Sequence, residues 1–322
     1  MIWFIRQYFL IADTKKCLKK HDFYDRIEIE RGEKMKEQRY VIEKIDTFDV
    51  TDIFNCGQCF RWKEQLDKSY TGVFGKNVLN VRQTDKEVIF QGICEEDIQS
   101  VCRFYFDLDR DYEKMQRKLM KVDTYMQTSI GYGKGIRILN QDLWETILSF
   151  IISANNNIPR IKGIIDRLCK TYGDKIIYQE KIYDTFPTPE QLKNVTIEDF
   201  RKLGLGFRDK RVYETTHAIL EKQVDLEELI CQTDANKVRE TLLTLSGVGP
   251  KVADCILLFS TLKRLDVFPV DVWVRRVMNE LYIKNRDENK VSTKQIEKIA
   301  HEKFGNMAGL AQQYLFYWKK EA

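Results

Sequence analysis

The chain has 322 residues, enough for two or three domains with a sizeable core. With 43% hydrophobic and 32% charged residues, its composition is that of a soluble globular protein. A formal net charge of only +4 excludes a global cationic field, so any nucleic-acid contact must come from local basic patches. In chain order, the first segment, residues 1–34, is set apart from the fold. Trp3 to Ala12 is apolar but interrupted by Arg6, too short to span a bilayer, and lacks a signal-peptide cleavage site. The charged stretch that follows reads as a disordered or loosely docked extension. A second reading starts the protein at Met35, because Arg31-Gly32-Glu33 is what AGG-GGA-GAA, a purine-rich ribosome-binding sequence, would encode. The nucleotide sequence decides between them.

Residues 35–135 are expected to form a β-rich domain with flanking helices. Short runs (Tyr40 to Ile42, Cys59 to Trp62, Tyr70 to Phe74, Val78 to Val81, Val88 to Phe90) are separated by polar or glycine-containing turns. After Glu95 the pattern turns helical, and residues 136–322 are expected to be an all-helical body. Asp142-x-x-Glu145 predicts a capping box for an apolar helix ending near Ala154, and Thr188-Pro189 and Thr196-x-x-Asp199 predict two more helix starts. Leu203-Gly-Leu-Gly206 reads as a helix stop. Helices are predicted over Val238 to Leu245, Pro250 to Leu262, Thr293 to Phe304 and Met307 to Lys319. The fold class is therefore α+β, a small antiparallel sheet followed by a helical body, with no internal repeat. Eight cysteines are scattered without a secretion signal, which favours reduced thiols in the cytoplasm. Cys56-x-x-Cys59 lacks the second pair or thioredoxin-like context that a zinc or redox role needs.

The richest stretch is Leu245-Ser-Gly-Val-Gly-Pro-Lys-Val-Ala-Asp-Cys255, followed by Phe268-Pro-Val-Asp-Val-Trp273. Gly247 and Gly249 permit a tight turn between helices and let the main chain approach a ligand closely. N–H groups of Gly247, Gly249 and Val252 at the start of the second helix make a phosphate cradle, where partial positive charge collects. The turn alone reads equally well as an ordinary helix corner. Lys251 in the first helical turn is electrostatically misplaced and is expected to be pushed toward the neutral amine. Without such help a lysine of pKa about 10.4 is neutral in roughly one molecule per thousand, a cost of about 4 kcal/mol. A solvent-facing lysine is the plainer alternative. Cys255 shares the helix face of Lys251, as Phe316 shares that of Gln312.

These residues resemble the helix-hairpin-helix, Gly/Pro-rich loop and aspartate signature of base-excision DNA glycosylases, and specifically the 8-oxoguanine DNA glycosylases. Four further stretches carry the resemblance: Cys56-Gly-Gln-Cys-Phe-Arg-Trp62, Ser149-Phe-Ile-Ile-Ser-Ala-Asn-Asn-Asn-Ile-Pro-Arg160, Leu203-Gly-Leu-Gly-Phe-Arg208 and Ala311-Gln-Gln-Tyr-Leu-Phe316. It covers roughly residues 36 to 320. It implies a bifunctional DNA glycosylase/AP lyase that acts as a monomer on duplex DNA containing 8-oxoguanine, preferably opposite cytosine. Lys251 would attack the anomeric carbon, expel the base and form a Schiff base that undergoes β-elimination. Asp271 would stabilise the positive sugar, besides capping a helix. The Gly57 carbonyl would accept the N7 hydrogen that guanine lacks, Cys255 and Phe316 would sandwich the base, and Gln312 would read its Watson–Crick edge. Asn155 would fill the gap left by the flipped base, Phe207 would wedge beside it, and Arg160 and Arg208 would contact the estranged cytosine.

Two departures stand out. Phe207 occupies a position where the family often carries tyrosine, and either residue gives a flat wedge. Trp273 stands where many relatives place a phosphate-contacting histidine, which leaves Arg275 or Arg276 to take the phosphate. No iron–sulfur cluster is expected, because no cysteine follows Cys255. No redox cofactor or catalytic metal is implied. A monovalent or calcium ion at the carbonyls of Leu243, Leu245 and Val248 is compatible with the hairpin. The alternatives are a non-catalytic helix-hairpin-helix DNA-binding protein and a glycosylase of the same superfamily for another damaged base.

Overall fold

The computed structural model describes residues 36–287 and 290–321, so both expectations for residues 1–34 lie outside it. Strands β1 (Glu37–Glu43), β2 (Trp62–Glu64), β3 (Tyr70–Phe74), β4 (Asn77–Gln83) and β5 (Glu87–Ile93) form an antiparallel sheet in the order β1-β5-β4-β3-β2. Register pairs Val81 with Phe90 and Val78 with Ile93, which puts alternate apolar residues on each face. One face closes over Phe48, Phe54, Trp62, Phe90 and Phe106. Phe54 stacks on Trp62 at 4.2 Å between ring centroids, and the Trp62 indole N–H donates to the Tyr105 hydroxyl at 3.0 Å.

Cys59 to Trp62 is not the strand expected from its residues; pairing starts only at Trp62. The chain instead folds as helix α1 (Val50–Asn55) and a loop. Asp49 caps α1 by accepting from the N–H groups of Thr51 and Asp52, while Val50, Ile53 and Phe54 bury one face.

Helices α2 (Ile98–Tyr105), α3 (Tyr112–Leu119) and α4 (Thr124–Tyr132) lead into the body. There, α5 (Leu143–Ser153) is apolar nearly all round and lies at its centre, packed against α6 (Ile158–Tyr172) and later helices. The Asp142 side chain accepts from the Glu145 N–H at 2.8 Å, but the box is not reciprocal. Glu145 turns to Arg61 at 3.5 Å instead. The Thr196–Asp199 box at α7 (Ile197–Lys202) is complete. Then follow α8 (Asp209–Leu220), α9 (Leu226–Cys231), α10 (Ala235–Leu243), α11 (Pro250–Phe259), α12 (Val272–Met278), α13 (Thr293–Phe304) and α14 (Ala308–Glu321).

The body is not all helix. A hairpin, β6 (Lys175–Tyr178) and β7 (Lys181–Asp184), interrupts it. Ile176 and Tyr178 cover Val73, Val78 and Ile93 on the sheet's second face, so the hairpin is held by the N-terminal sheet. Arg137, 1% exposed, joins the parts, donating to the carbonyls of Thr47, Phe106, Asp107 and Arg110 with its guanidinium over the Tyr112 ring. The bonds supply donors to backbone carbonyls of the segments around it and spend the buried guanidinium's own N–H groups. Among the described residues no helix is long and apolar enough to cross a membrane.

Candidate active site

The site is built around the turn between α10 and α11. Gly247 has φ +84°, a conformation that favours glycine, and a Cβ there would lie 2.9 Å from Cδ of Arg211. Gly249 differs: it has an ordinary φ of −93°, and nothing lies within 4 Å of where its Cβ would be. Open space on that side is what a ligand approaching the main chain requires. Pro250 starts α11, and the N–H groups of Gly247, Gly249 and Val252 have no acceptor among the described residues. Helix α8 braces the turn, with Thr215 donating to the Ser246 carbonyl at 2.8 Å and Ser246 to Glu214 at 2.6 Å.

Lys251 lies in the first turn of α11, half-buried, with Nζ 5.4 Å from the centroid of the Phe150 ring. It is not the solvent-facing lysine of the plainer alternative. Burial favours its neutral form, but the Cys255 sulfur and the Asp271 carboxylate together outweigh burial and hold the ammonium above the ordinary lysine pKa. The expectation that the helix start delivers a neutral amine is therefore corrected: against burial, Cys255 and Asp271 keep the proton on the lysine. Burial also pushes the Cys255 thiol up to about 11, against the pull of Lys251, so it is protonated near neutrality. Asp271 caps α12, accepting from the Val274 N–H at 2.7 Å.

A second set of residues converges beside this one. Gly57, at φ +86°, follows α1, and a Cβ on it would sit 3.4 Å from Cε1 of Phe316. Its carbonyl accepts no hydrogen bond among the described residues. Gln312 lies one turn before Phe316 on α14, 5% exposed, and its side-chain Oε1 is buried without a donor. Such a group costs about 1–3 kcal/mol unless a ligand satisfies it. Gln312 and Phe316 face Phe268, Val274, Val277 and Met278 across a cleft with no room for a water molecule in this conformation. Val274 and Val277 belong to the helix that Asp271 caps, so one short helix carries the carboxylate and part of the cleft wall. A larger cavity of about 470 Å³ opens on Gly57 between Asn55, Phe60, Tyr132, Ile158, Lys162 and Lys320, but Lys251 and Asp271 do not line it. The larger cavity is therefore not the one that holds the lysine and the aspartate.

The residue that fixes Gly57 was not singled out from sequence. Gln58 is fully buried; its amide donates to the carbonyls of Ile53 (2.9 Å) and Arg137 (2.8 Å), and its Oε1 accepts from the Leu139 N–H (2.9 Å). Gln141 then donates to the carbonyls of Gln58 (2.8 Å) and Phe259 (3.0 Å), tying the loop to the end of α11.

On a third side, α5 ends and Asn155 stands exposed in the left-handed region at φ +49°. Arg208, expected to reach a base, is instead 1% exposed, its guanidinium bound to the carbonyls of Ala154 (2.6 and 2.8 Å), Asn155 (2.7 Å) and Leu205 (3.2 Å). It holds Asn155 in place from beneath. Desolvation, then Arg160 and Arg211, lower its pKa. Arg160 is exposed and reaches the Gly204 carbonyl at 3.4 Å, and Phe207 projects at 55% exposure. Trp273 is 39% exposed beside Asp271. Arg275 is committed to the Val291 carbonyl at 2.9 Å, so of the two arginines offered for a phosphate Arg276 is the exposed one.

Among the described residues no group of three or more His, Cys, Asp or Glu side chains is placed to hold a metal. Of the hairpin carbonyls, that of Leu245 accepts the Val248 N–H at 3.1 Å, while those of Leu243 and Val248 accept none, a neutral donor set that fits a weakly held cation. The described cysteines are free thiols, all buried except Cys231.

Residues 40–147 match the family model of the 8-oxoguanine DNA glycosylase N-terminal domain, and residues 148–304 that of the HhH-GPD superfamily base excision DNA repair proteins. The chain belongs to the 8-oxoguanine DNA glycosylase family. Among its relatives is an N-glycosylase/DNA lyase of Saccharomyces cerevisiae, 31% identical over 83% of this chain and 82% of that protein. Among solved structures it resembles the Clostridium acetobutylicum 8-oxoguanine glycosylase/lyase in complex with double-stranded DNA containing cytosine opposite 8-oxoguanine. That match has 40% identity and a TM-score of 0.83, covering 90% of this chain and 98% of that one. The apo form of the Clostridium enzyme matches at 41% identity and a TM-score of 0.82, over 89% and 99% of the two chains. The glycosylase fold of this family, a five-stranded sheet followed by a helical body, is the one described above.

Proposed function

We propose that this glycosylase excises 8-oxoguanine, preferably opposite cytosine, from duplex DNA and then cleaves the strand through a lysine Schiff base. The observation that carries the reading is the buried, unpartnered Oε1 of Gln312 beside Phe316 and Gly57, in a cleft whose far wall belongs to the helix capped by Asp271. An amide left without a partner in an apolar cleft suits the polar edge of a flat base.

The hairpin N–H groups hold a backbone phosphate, and the lesion nucleotide swings out of the stack. Its base enters between Cys255 and Phe316, where Gln312 meets its Watson–Crick edge. The Gly57 carbonyl accepts the N7 hydrogen of 8-oxoguanine, whereas guanine presents a lone pair there and is repelled. Asp271 offers negative charge to the sugar as its C1′ becomes cationic. The Lys251 amine, after losing its proton, bonds to C1′ as the glycosidic electron pair leaves with the base. The resulting aminal opens to a Schiff base, and loss of the C2′ proton then expels the 3′ phosphate. Asn155 fills the gap in the stack, Phe207 wedges beside it, and Arg160 faces the estranged cytosine, while Arg208 acts through Asn155.

Borohydride trapping on a duplex with 8-oxoguanine opposite cytosine tests this. The expected result is a covalent adduct with the wild-type protein and none with Lys251→Gln. Tight binding without adduct or base release would identify a DNA-binding module instead. Equal excision opposite adenine would remove the cytosine preference.

A further inference from the structure

Arg211 has no part in the chemistry described above, yet it touches both devices that grip DNA. Its aliphatic stem lies against the hairpin turn, where a Cβ on Gly247 would meet its Cβ and Cδ at 3.0 and 2.9 Å. Its guanidinium lies 5.2 Å from the centroid of the Phe207 ring, which the Arg208 guanidinium also approaches, at 4.2 Å. The exposed wedge is thus held by two cations, one buried beneath the Asn155 loop and one rooted on the hairpin. Among the described residues no carboxylate pairs with Arg160, Arg208 or Arg211. The nearby acids are already engaged: Asp209 by Arg201 at 2.7 Å, and Glu214 by the Ser246 hydroxyl and Lys210. Three clustered guanidiniums without a counter-charge fit the polyanionic backbone of DNA.

We infer that Arg211 is a positioning residue that couples the hairpin to the wedge, setting the Phe207 ring for insertion while its free charge meets a DNA phosphate. The stem makes the coupling mechanical, since a shift of the hairpin turn on the lesion strand moves the root of Arg211. A planar guanidinium stacks on an aromatic face as an ammonium does not, so arginine and lysine are distinguishable here.

This inference rests on the proposed glycosylase reading, and the test separates the two. Wild-type, Arg211→Met and Arg211→Lys proteins are mixed with a duplex carrying 8-oxoguanine opposite cytosine and a 2-aminopurine next to that cytosine. Methionine keeps most of the stem packing on Gly247, and matching melting temperatures show that the fold is intact. Arg211→Met is expected to slow the fluorescence rise that reports wedge insertion by about tenfold or more and to lower the salt slope of DNA affinity by about one. Arg211→Lys is expected to keep the salt slope while the fluorescence rise stays slow. Wild-type kinetics and salt slope in Arg211→Met overturn the inference while leaving the glycosylase reading untouched. Wild-type insertion kinetics in Arg211→Lys would remove the stacking role. A wild-type protein that neither excises nor unstacks the lesion overturns both.

Discussion

Lys251 has two opposing demands placed on it. Burial favours the amine that attacks, yet Cys255 and Asp271 hold the ammonium in the resting protein. The reactive form is therefore a minority near neutrality, and single-turnover excision should rise with pH on the alkaline side. Cys255→Ala removes one of the two supports of the ammonium, so its pH–rate curve should rise at lower pH than that of the wild type, as rapid-quench assays of base release would show. A curve that stays in place would mean that Asp271 alone sets the lysine. If Cys255 packs on the flipped base as proposed, the same substitution should also weaken affinity for lesion DNA independently of pH. Lys251 was visible in the sequence because a lysine is unusual in the first turn of a helix, whereas Asp271, an ordinary helix cap by itself, was picked out by the resemblance of its surrounding stretch. The direction of the lysine shift was not visible, since it depends on which atoms fold in next to it.

The loop after α1 shows how an element with almost no regular structure sets a specificity. Gly57 presents its free carbonyl only because Gln58, buried beside it, is bonded to three backbone groups. Gln58→Ala takes the side-chain partner from the Arg137 carbonyl and the Leu139 N–H, at about 1–3 kcal/mol for each group left unpaired, and should loosen the loop before it unfolds the protein. Excision of 8-oxoguanine should fall by roughly 100-fold, the effect of about 1 Å of misplacement, while cleavage at a preformed abasic site, which needs no base contact, should fall much less. Equal losses in both assays would place Gln58 in general stability instead. At this scale the sequence was legible where periodicity and caps act locally: the hairpin helices, the Thr196 box and the last two helices all form near their predicted places. It was not legible at Cys59 to Arg61, where the aromatic Phe60 and Trp62 suggested a strand that tertiary bonds from Gln58 and Arg61 override. Nor was the β6–β7 hairpin, whose four-residue strands are stabilised by an apolar face about 100 residues earlier in the chain.

Across the whole molecule, the sheet region is fastened to the helical body by charge as well as by packing. Arg61 bridges the Glu145 carboxylate on α5 and the Asp184 carbonyl on β7. The two partners report opposite balances. Burial works against both ions, but Glu145 lifts Arg61 overall, whereas the Glu145 carboxyl is still pushed up to about 7. The carboxyl decides, because it alone changes charge between pH 4 and 8. With the folded pKa above the unfolded one, the native state binds the extra proton between about 4.5 and about 7. Stability from this group is thus full below that window and lost as pH rises through it, by up to about 3 kcal/mol. Glu145→Gln imitates the protonated form. Its melting temperature should exceed that of the wild type at pH 8 by several degrees and meet it near pH 5, as differential scanning fluorimetry across pH would show. A variant less stable at pH 8 would mean that the ion pair outweighs its desolvation.

In the proposed mechanism the nucleophile and the carboxylate fall within one stretch, Lys251 to Asp271, while base recognition draws on Gly57 from near the beginning and on Gln312 and Phe316 from near the end. Bond breaking and lesion choice can therefore be inherited separately. Mutations that re-shape α14 or the loop at Gly57 can retune which damaged base is accepted while the lysine stays where it is. A change of substrate would then need no change in the segment between Lys251 and Asp271, only in the two distant stretches that meet the base.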